Sequence, residues 1–401
     1  MTKNNKWYKK VLFNVEGRII LKKELGIYLH IPFCVQKCRY CDFLSFPAEE
    51  EIQVKYVKKM EEEIRRFPQK ERWTIKTIFF GGGTPSILGS TQIIELMQVL
   101  KEEFSIEKDA EISIECNPGT VDKEKLYAYG EAGINRISFG LQSSDARELK
   151  LLGRIHTYET FLESYEMART CGFYNINVDL MSALPGQTVQ SWNQTLKNVL
   201  DLNPEHISAY SLMIEEGTPF YDLYEKDLEL REAGKPCRLL PSEEEERRMY
   251  YDAKRMMEEY GYFRYEISNY AKQGYECRHN IRYWERKDYA GFGIGAAELI
   301  ENIRFKNTCN LKEYMEGQFK KEKEVVDQKA QMEEFWFLGL RMMKGVSAKA
   351  FFEQFGLKIE DLYAPVLNRL MRQELIHEEK GVYRLTDLGI DVSNYVLAQF
   401  L

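Results

Sequence analysis

Apolar runs of strand length alternate with amphipathic helical stretches through the first half of this 401-residue chain, which restricts that half to a repeated βα fold. The runs cover residues 27–31, 77–80, 111–115, 136–139, 175–180 and 206–212, and the stretches between them include 53–66, 91–104, 123–133, 158–171 and 191–202. Right-handed crossovers between parallel strands curl six such units into a partial (β/α)6 TIM-like barrel, two units short of closure. Function belongs on loops at the C-terminal ends of the strands.

The chain is longer than one hydrophobic core serves, since single cores stop growing near roughly 250 to 300 residues. The pattern divides into a basic extension over 1–24, a barrel over 25–240, a connecting segment over 241–327 and a mostly helical, winged-helix-like domain over 328–401. Alternation breaks down after Glu216, and a charged helix is expected over 243–260. The last part is expected as helices over 331–343, 348–355 and 359–376, a hairpin over 379–385 and a closing helix. It holds 9 Lys or Arg against 10 Asp or Glu, so packing or docking is expected of it rather than DNA binding.

A formal charge of −7 gives the whole chain no positive field for nucleic acid or anionic lipid. The basic lead (Lys3, Lys6, Lys9, Lys10, Arg18, Lys22, Lys23) contains no apolar run long enough for a signal peptide or a membrane span. A cytosolic location is expected, with at most peripheral contact with a membrane-bound acceptor. In that reducing setting, three of the eight cysteines within eight residues favour metal binding over disulfides.

Those three are Cys34, Cys38 and Cys41, a C-x3-C-x2-C loop just after the first strand and followed by Phe43. Three thiolates hold three irons of a [4Fe–4S] cubane and leave the fourth iron open to a small-molecule chelate. Structural zinc wants a closed set of four ligands; His30 would point from a strand, and no fourth ligand sits at finger spacing. Gly81, Gly82, Gly83 and Thr84 follow the second strand, where glycine lets the backbone approach a polar ligand. Glu115 ends the third strand, Gln142 follows the fourth, Asp179 lies in the fifth and Arg154 follows Gln142. A carboxylate in the apolar run around Asp179 is costly unless it is paired or meets a ligand. Together these residues outline one shared ligand site.

With these motifs the chain resembles the radical SAM proteins: Cys34 to Cys41 is similar to their cluster motif and Gly81 to Thr84 to their S-adenosylmethionine (SAM) loop. The resemblance runs from about Leu25 to Leu401. It narrows to the branch of the anaerobic coproporphyrinogen III oxidases and the haem chaperones of the HemW type, the latter being nearer. YLHIPF (Tyr28 to Phe33) and SFGLQ (Ser138 to Gln142) are similar in both groups. Phe43, where the oxidases carry another cysteine, and the HNxxYW motif of His279, Asn280, Tyr283 and Trp284 point to the chaperones.

The resemblance implies cluster ligation by Cys34, Cys38 and Cys41 and SAM contacts from Tyr28, Gly82 and Glu115. In the oxidase branch Tyr40, Gly83, Thr84, Gln142, Arg154 and Asp179 match positions around a second SAM. For haem, His279 offers an imidazole, Cys277 a thiolate, and Tyr283 and Trp284 faces for stacking. The same residues read alone as anchors of an irregular segment to the barrel. Two departures stand out: Ala297 and Glu298 occupy a glycine-rich stretch where the chaperones usually show a histidine, and the basic lead is long for a chaperone. The implied function is a haem-binding, cluster-containing chaperone that passes haem to an acceptor protein and draws on a reducing electron donor. The alternative is an oxidase acting on the propionate side chains of coproporphyrinogen III.

Overall fold

The computed structural model describes residues 12–13, 19–20 and 22–401. Most of the basic extension expected over 1–24 lies outside the described residues; within it Leu12–Phe13 pairs antiparallel with Ile19–Ile20. Six parallel strands follow in chain order across one sheet: β1 (Lys23–Ile31), β2 (Trp73–Gly82), β3 (Ser105–Cys116), β4 (Arg136–Gln142), β5 (Ile176–Ser182) and β6 (His206–Ser211). A seventh parallel strand, Tyr289–Phe292, lies beside β1 and continues outward through antiparallel Ala297–Ile300, Ile303–Asn307 and Lys320–Val325. Asn269–Ala271 extends the other edge antiparallel to β6, and Phe263–Arg264 pairs antiparallel with Asn269–Ala271 beyond it.

Side chains alternate across a strand, so each of the six has an outer and an inner row. The outer row is apolar and fully buried: Leu25, Ile27, Leu29 and Ile31 on β1, Ile78 and Phe80 on β2, Ile114 on β3, Ile137 and Phe139 on β4. It packs on helices such as Glu50–Arg66, Ser90–Glu103 and Val189–Leu200. At roughly 1.5–3 kcal/mol for each fully buried large aliphatic side chain, this layer holds the barrel together. The inner row is polar: Glu111, Ser113, Arg136, Ser138, Asn177 and His206 are all buried. Parallel register carries that row across the sheet, pairing Glu115 with Ser138, Ser138 with Asn177 and Asn177 with His206.

A second core, from Trp336 to Phe400, builds the C-terminal part around helices Gln328–Gly339, Ala348–Phe355 and Ile359–Arg372 and a three-stranded sheet. Its hairpin joins Ile376–Glu379 to Val382–Leu385, three residues earlier than expected, because Lys380 and Gly381 both take positive φ in a two-residue turn. Helix Pro219–Glu232 also stands where no helix was expected, although Thr218 caps it and proline opens it. Among the described residues no helix is long and apolar enough to cross a membrane.

Glu63 fastens the antiparallel extension to the barrel. Its buried carboxylate accepts from Gly293 N at 2.9 Å, Asn307 Nδ2 at 2.6 Å and Tyr314 Oη at 2.7 Å. Burial nevertheless pushes the carboxyl up to about 7 from its ordinary 4.5. A native state that holds this proton more tightly than the unfolded chain loses stability as pH rises from 4.5 to 7. The whole cost, roughly 3 kcal/mol, is present above that window. Urea unfolding at pH 5 and pH 8 should therefore show Glu63→Gln gaining about that much relative to the parent protein between the two; an equal pH response would place Glu63 outside this linkage.

Candidate functional site

The cysteine loop is folded back on itself by Cys34 N to Phe46 O at 3.1 Å and Phe46 N to Pro32 O at 2.8 Å. The glycine loop after β2 is sewn to it by Gly83 N to Ile31 O and Thr84 N to Phe33 O, both 2.8 Å. A Cβ on Gly83 would stand 2.7 Å from Phe33 O and 3.0 Å from Cys34 Sγ, so only glycine permits this approach. Gly82 holds φ of +113°, beyond the easy range of other residues. The Thr84 hydroxyl donates to Cys34 Sγ at 3.4 Å, and Arg154 Nη1 to Cys38 Sγ at 3.5 Å.

Cys34, Cys38 and Cys41 line one cavity of about 140 Å³ at the C-terminal rim of the barrel, together with Tyr40, Phe43 and the glycine loop. All three are free thiols. Among the described residues no three His, Cys, Asp or Glu side chains converge on a point suited to a single ion. A cubane asks for something else, one thiolate at each of three separate irons, and a shared wall of three thiols suits that need. Glu115, Gln142, Arg154 and Asp179 line the same cavity. Tyr28 does not; it sits deeper, its hydroxyl 3.1 Å from His30 Nδ1, while His30 Nε2 reaches Leu44 O at 2.9 Å.

The far wall is acidic. Glu115 accepts from Gly82 N at 3.1 Å, and burial together with the neighbouring Asp179 charge pushes its carboxyl up to about 8. Burial also raises Asp179, against hydrogen bonds from Asn177 Nδ2 at 2.7 Å and Ser138 Oγ at 3.1 Å. Two carboxyl groups that face one cavity and hold their protons too tightly form a receptor for a cation, since an ammonium placed between them restores the ionised forms. Arg154 supplies the opposite pole, held by Asn117 Oδ1 at 3.1 Å and by the carbonyl of Gly140. An amino acid, carrying both an ammonium and a carboxylate, matches this polarity.

Asn117 and Tyr210 also belong to the site and were not singled out from the sequence. Asn117 Nδ2 donates to Thr84 Oγ1 at 2.8 Å, and Tyr210 Oη donates to Gln142 Oε1 at 3.0 Å, steadying a glutamine whose backbone sits at φ +72°. Period-two counting from His206 through Ser208 places Tyr210 on the inner row and would have found it.

The HNxxYW segment lies elsewhere. Helix Arg278–Trp284 meets the inner row well below the rim, where Glu111 accepts from Arg278 N at 2.9 Å and His279 N at 3.0 Å. The His279 ring is 2% exposed and lies 5.1 Å from Phe79, stacked on it. Its Nδ1 is 2.9 Å from Thr77 Oγ1 and its Nε2 2.9 Å from Tyr283 Oη. Burial pushes it down to about 3, and pushes the enclosed Cys277 thiol up to about 12. The expectation of an open imidazole and a thiolate for haem therefore does not meet this geometry: both ring nitrogens are engaged and the thiol keeps its proton. Tyr283 is likewise wedged edge-on between His279 and Tyr289, so His279 and Tyr283 pack the helix onto the barrel. Trp284 alone turns outward to line a second cavity, toward the C-terminal part. Glu298, at the place where the chaperones usually show a histidine, is buried in an ion pair with Lys320.

Residues 28–199 match the Radical SAM superfamily and residues 326–392 the HemN C-terminal domain. The chain is 38% identical over 382 residues to the Heme chaperone HemW of Bacillus subtilis (strain 168), covering 93% of this chain and 98% of that relative. It is 33% identical to the Heme chaperone HemW of Escherichia coli (strain K12), covering 94% and 98%. Among solved structures, the coproporphyrinogen III oxidase HemN of Escherichia coli superposes with a TM-score of 0.81 at 24% identity, covering 94% of this chain and 90% of that one, a likeness of fold.

Proposed function

The chain belongs to the family of the Heme chaperone HemW, within the radical SAM superfamily, and from that premise we propose that it binds haem and transfers it to an acceptor protein. The observation that carries this is the near end-to-end match to relatives bearing that name, barrel and C-terminal part together. Phe43, 63% exposed beside the cysteine loop, supports it, because the oxidase branch carries a further cysteine at this place.

In this proposal Cys34, Cys38 and Cys41 hold a [4Fe–4S] cluster, and the cluster and SAM together supply one-electron reductive chemistry. The chain's own residues orient and shield: Glu115 and Asp179 receive the ammonium of SAM, Arg154 its carboxylate, and Gly82, Gly83 and Thr84 offer backbone to it. Tyr40 and Gln142 close the side of the cavity. The division into segments at 24/25, 240/241 and 327/328 is part of the same proposal.

Anaerobically reconstituted protein should develop a Soret band on addition of haem and should leave coproporphyrinogen III unconverted in a parallel incubation with SAM and a low-potential reductant. Turnover to protoporphyrinogen IX without a haem spectrum would replace the chaperone by the oxidase.

A further inference from the structure

The cavity at Trp284 has properties that the cysteine-lined site lacks. It encloses about 390 Å³ between the end of helix Arg278–Trp284 and the C-terminal part, within the size range of small-ligand sites. Its floor is apolar, from Trp284, Phe335, Met342 and Val346. The rim carries two exposed lysines alongside Glu285. Lys287 is exposed and has no ion-pair partner among the described residues, and Lys344 is 56% exposed with Glu285 as its only acidic partner among them.

Two donors in its wall lack acceptors. The Arg286 side chain is 7% exposed; its Nε is paired with Glu334 and its Nη1 donates to Asn302 Oδ1 at 2.7 Å, but its Nη2 has no partner. Trp284 Nε1 is also buried without an acceptor, in an indole fixed by Arg341 lying 4.4 Å over the ring. Both donors are shielded inside the wall, so the fold leaves polar groups beside the cleft incompletely satisfied.

Two other cavities do not suit a flat apolar dianion. The one at the cysteines is about 140 Å³ and acidic on its far wall, and one of about 380 Å³ beside Tyr250 presents Glu243, Glu246 and Asp391 against a single Arg247. We propose that haem docks in the cleft between Trp284 and the C-terminal part, its macrocycle on the apolar floor and its propionates toward Lys287 and Lys344. This placement rests on the haem-binding proposal and deepens it: the HNxxYW motif serves haem through Trp284, while His279 stays locked in the barrel.

Haem titration of full-length, cluster-reconstituted protein, followed by the Soret band, tests the placement. Ala350 is exposed on helix Ala348–Phe355 and lines the cleft, so Ala350→Trp fills it from a position with room to fold. This variant should bind haem about tenfold more weakly or worse. Lys287→Glu, a surface change, should also weaken binding, with the loss reduced at high salt. Iron content and SAM affinity should stay at parent values in both. A parent protein that takes up no haem would overturn the haem proposal itself. A parent that binds haem while both variants match it would overturn the cleft alone.

Discussion

Anaerobically reconstituted protein carrying Cys38→Ala is expected to hold no [4Fe–4S] cluster, with its iron and sulfide lost and the visible absorption of the cubane gone. The size of the effect follows from the donor set. Cys34, Cys38 and Cys41 line one cavity, and no other cysteine lines it except the buried Cys116. Burial pushes the Cys116 thiol up to about 12, which keeps it protonated and a poor ligand. Two thiolates cannot hold three irons, so removing one ligand removes the cluster rather than weakening it. Cys309→Ser is the matched control: Cys309 is exposed outside the site, and its variant should keep full iron content. Parent-level iron in Cys38→Ala, or iron lost from Cys309→Ser, would move the cluster off this loop.

The cysteine loop, the glycine loop and the polar strand ends were legible because each is a local signal. Spacing over eight residues, three consecutive glycines after an apolar run, and charged residues interrupting such runs need no knowledge of the fold. The six barrel strands were legible for the same reason, through an outer row of Ile, Leu and Phe. The edge extension was not. Phe263–Arg264 and Asn269–Ala271 are too short to show a period, and Tyr289–Phe292 owes its place to β1, more than 250 residues earlier in the chain. The enclosure of His279 is hidden from the sequence on similar grounds. A histidine beside a tyrosine and a tryptophan reads as an open ligand until Thr77 and Phe79, some 200 residues away, are seen to close on its Nδ1 and its face, while Tyr283 of the same helix takes its Nε2. Helix Pro219–Glu232 does carry a local signal in Thr218 and Pro219, which the many charged residues that follow obscure.

Glu111→Ala should be strongly damaging, lowering stability by roughly 3–5 kcal/mol. Glu111 is 6% exposed and caps helix Arg278–Trp284 from outside it, accepting from two of the amides that a helix start leaves unpaired, with Cys277 Sγ 3.7 Å from the same carboxylate. Truncation orphans the His279 amide in the barrel interior. It also removes one of the negative charges that Arg136, 2% exposed on the next strand, relies on. Glu111→Gln keeps an acceptor and loses the charge, so an intermediate loss is expected. Urea unfolding followed by tryptophan emission is a suitable measurement, because Trp284 sits at the end of the helix that would come loose; a midpoint for Glu111→Ala close to that of the parent would remove Glu111 from this role. Haem titration of the same variant separates two accounts of the motif. Were His279 an iron ligand that must leave the barrel, freeing its helix would strengthen haem binding. With haem in the cleft beside Trp284, the loosened helix disorders one wall of the site, and binding should weaken along with stability.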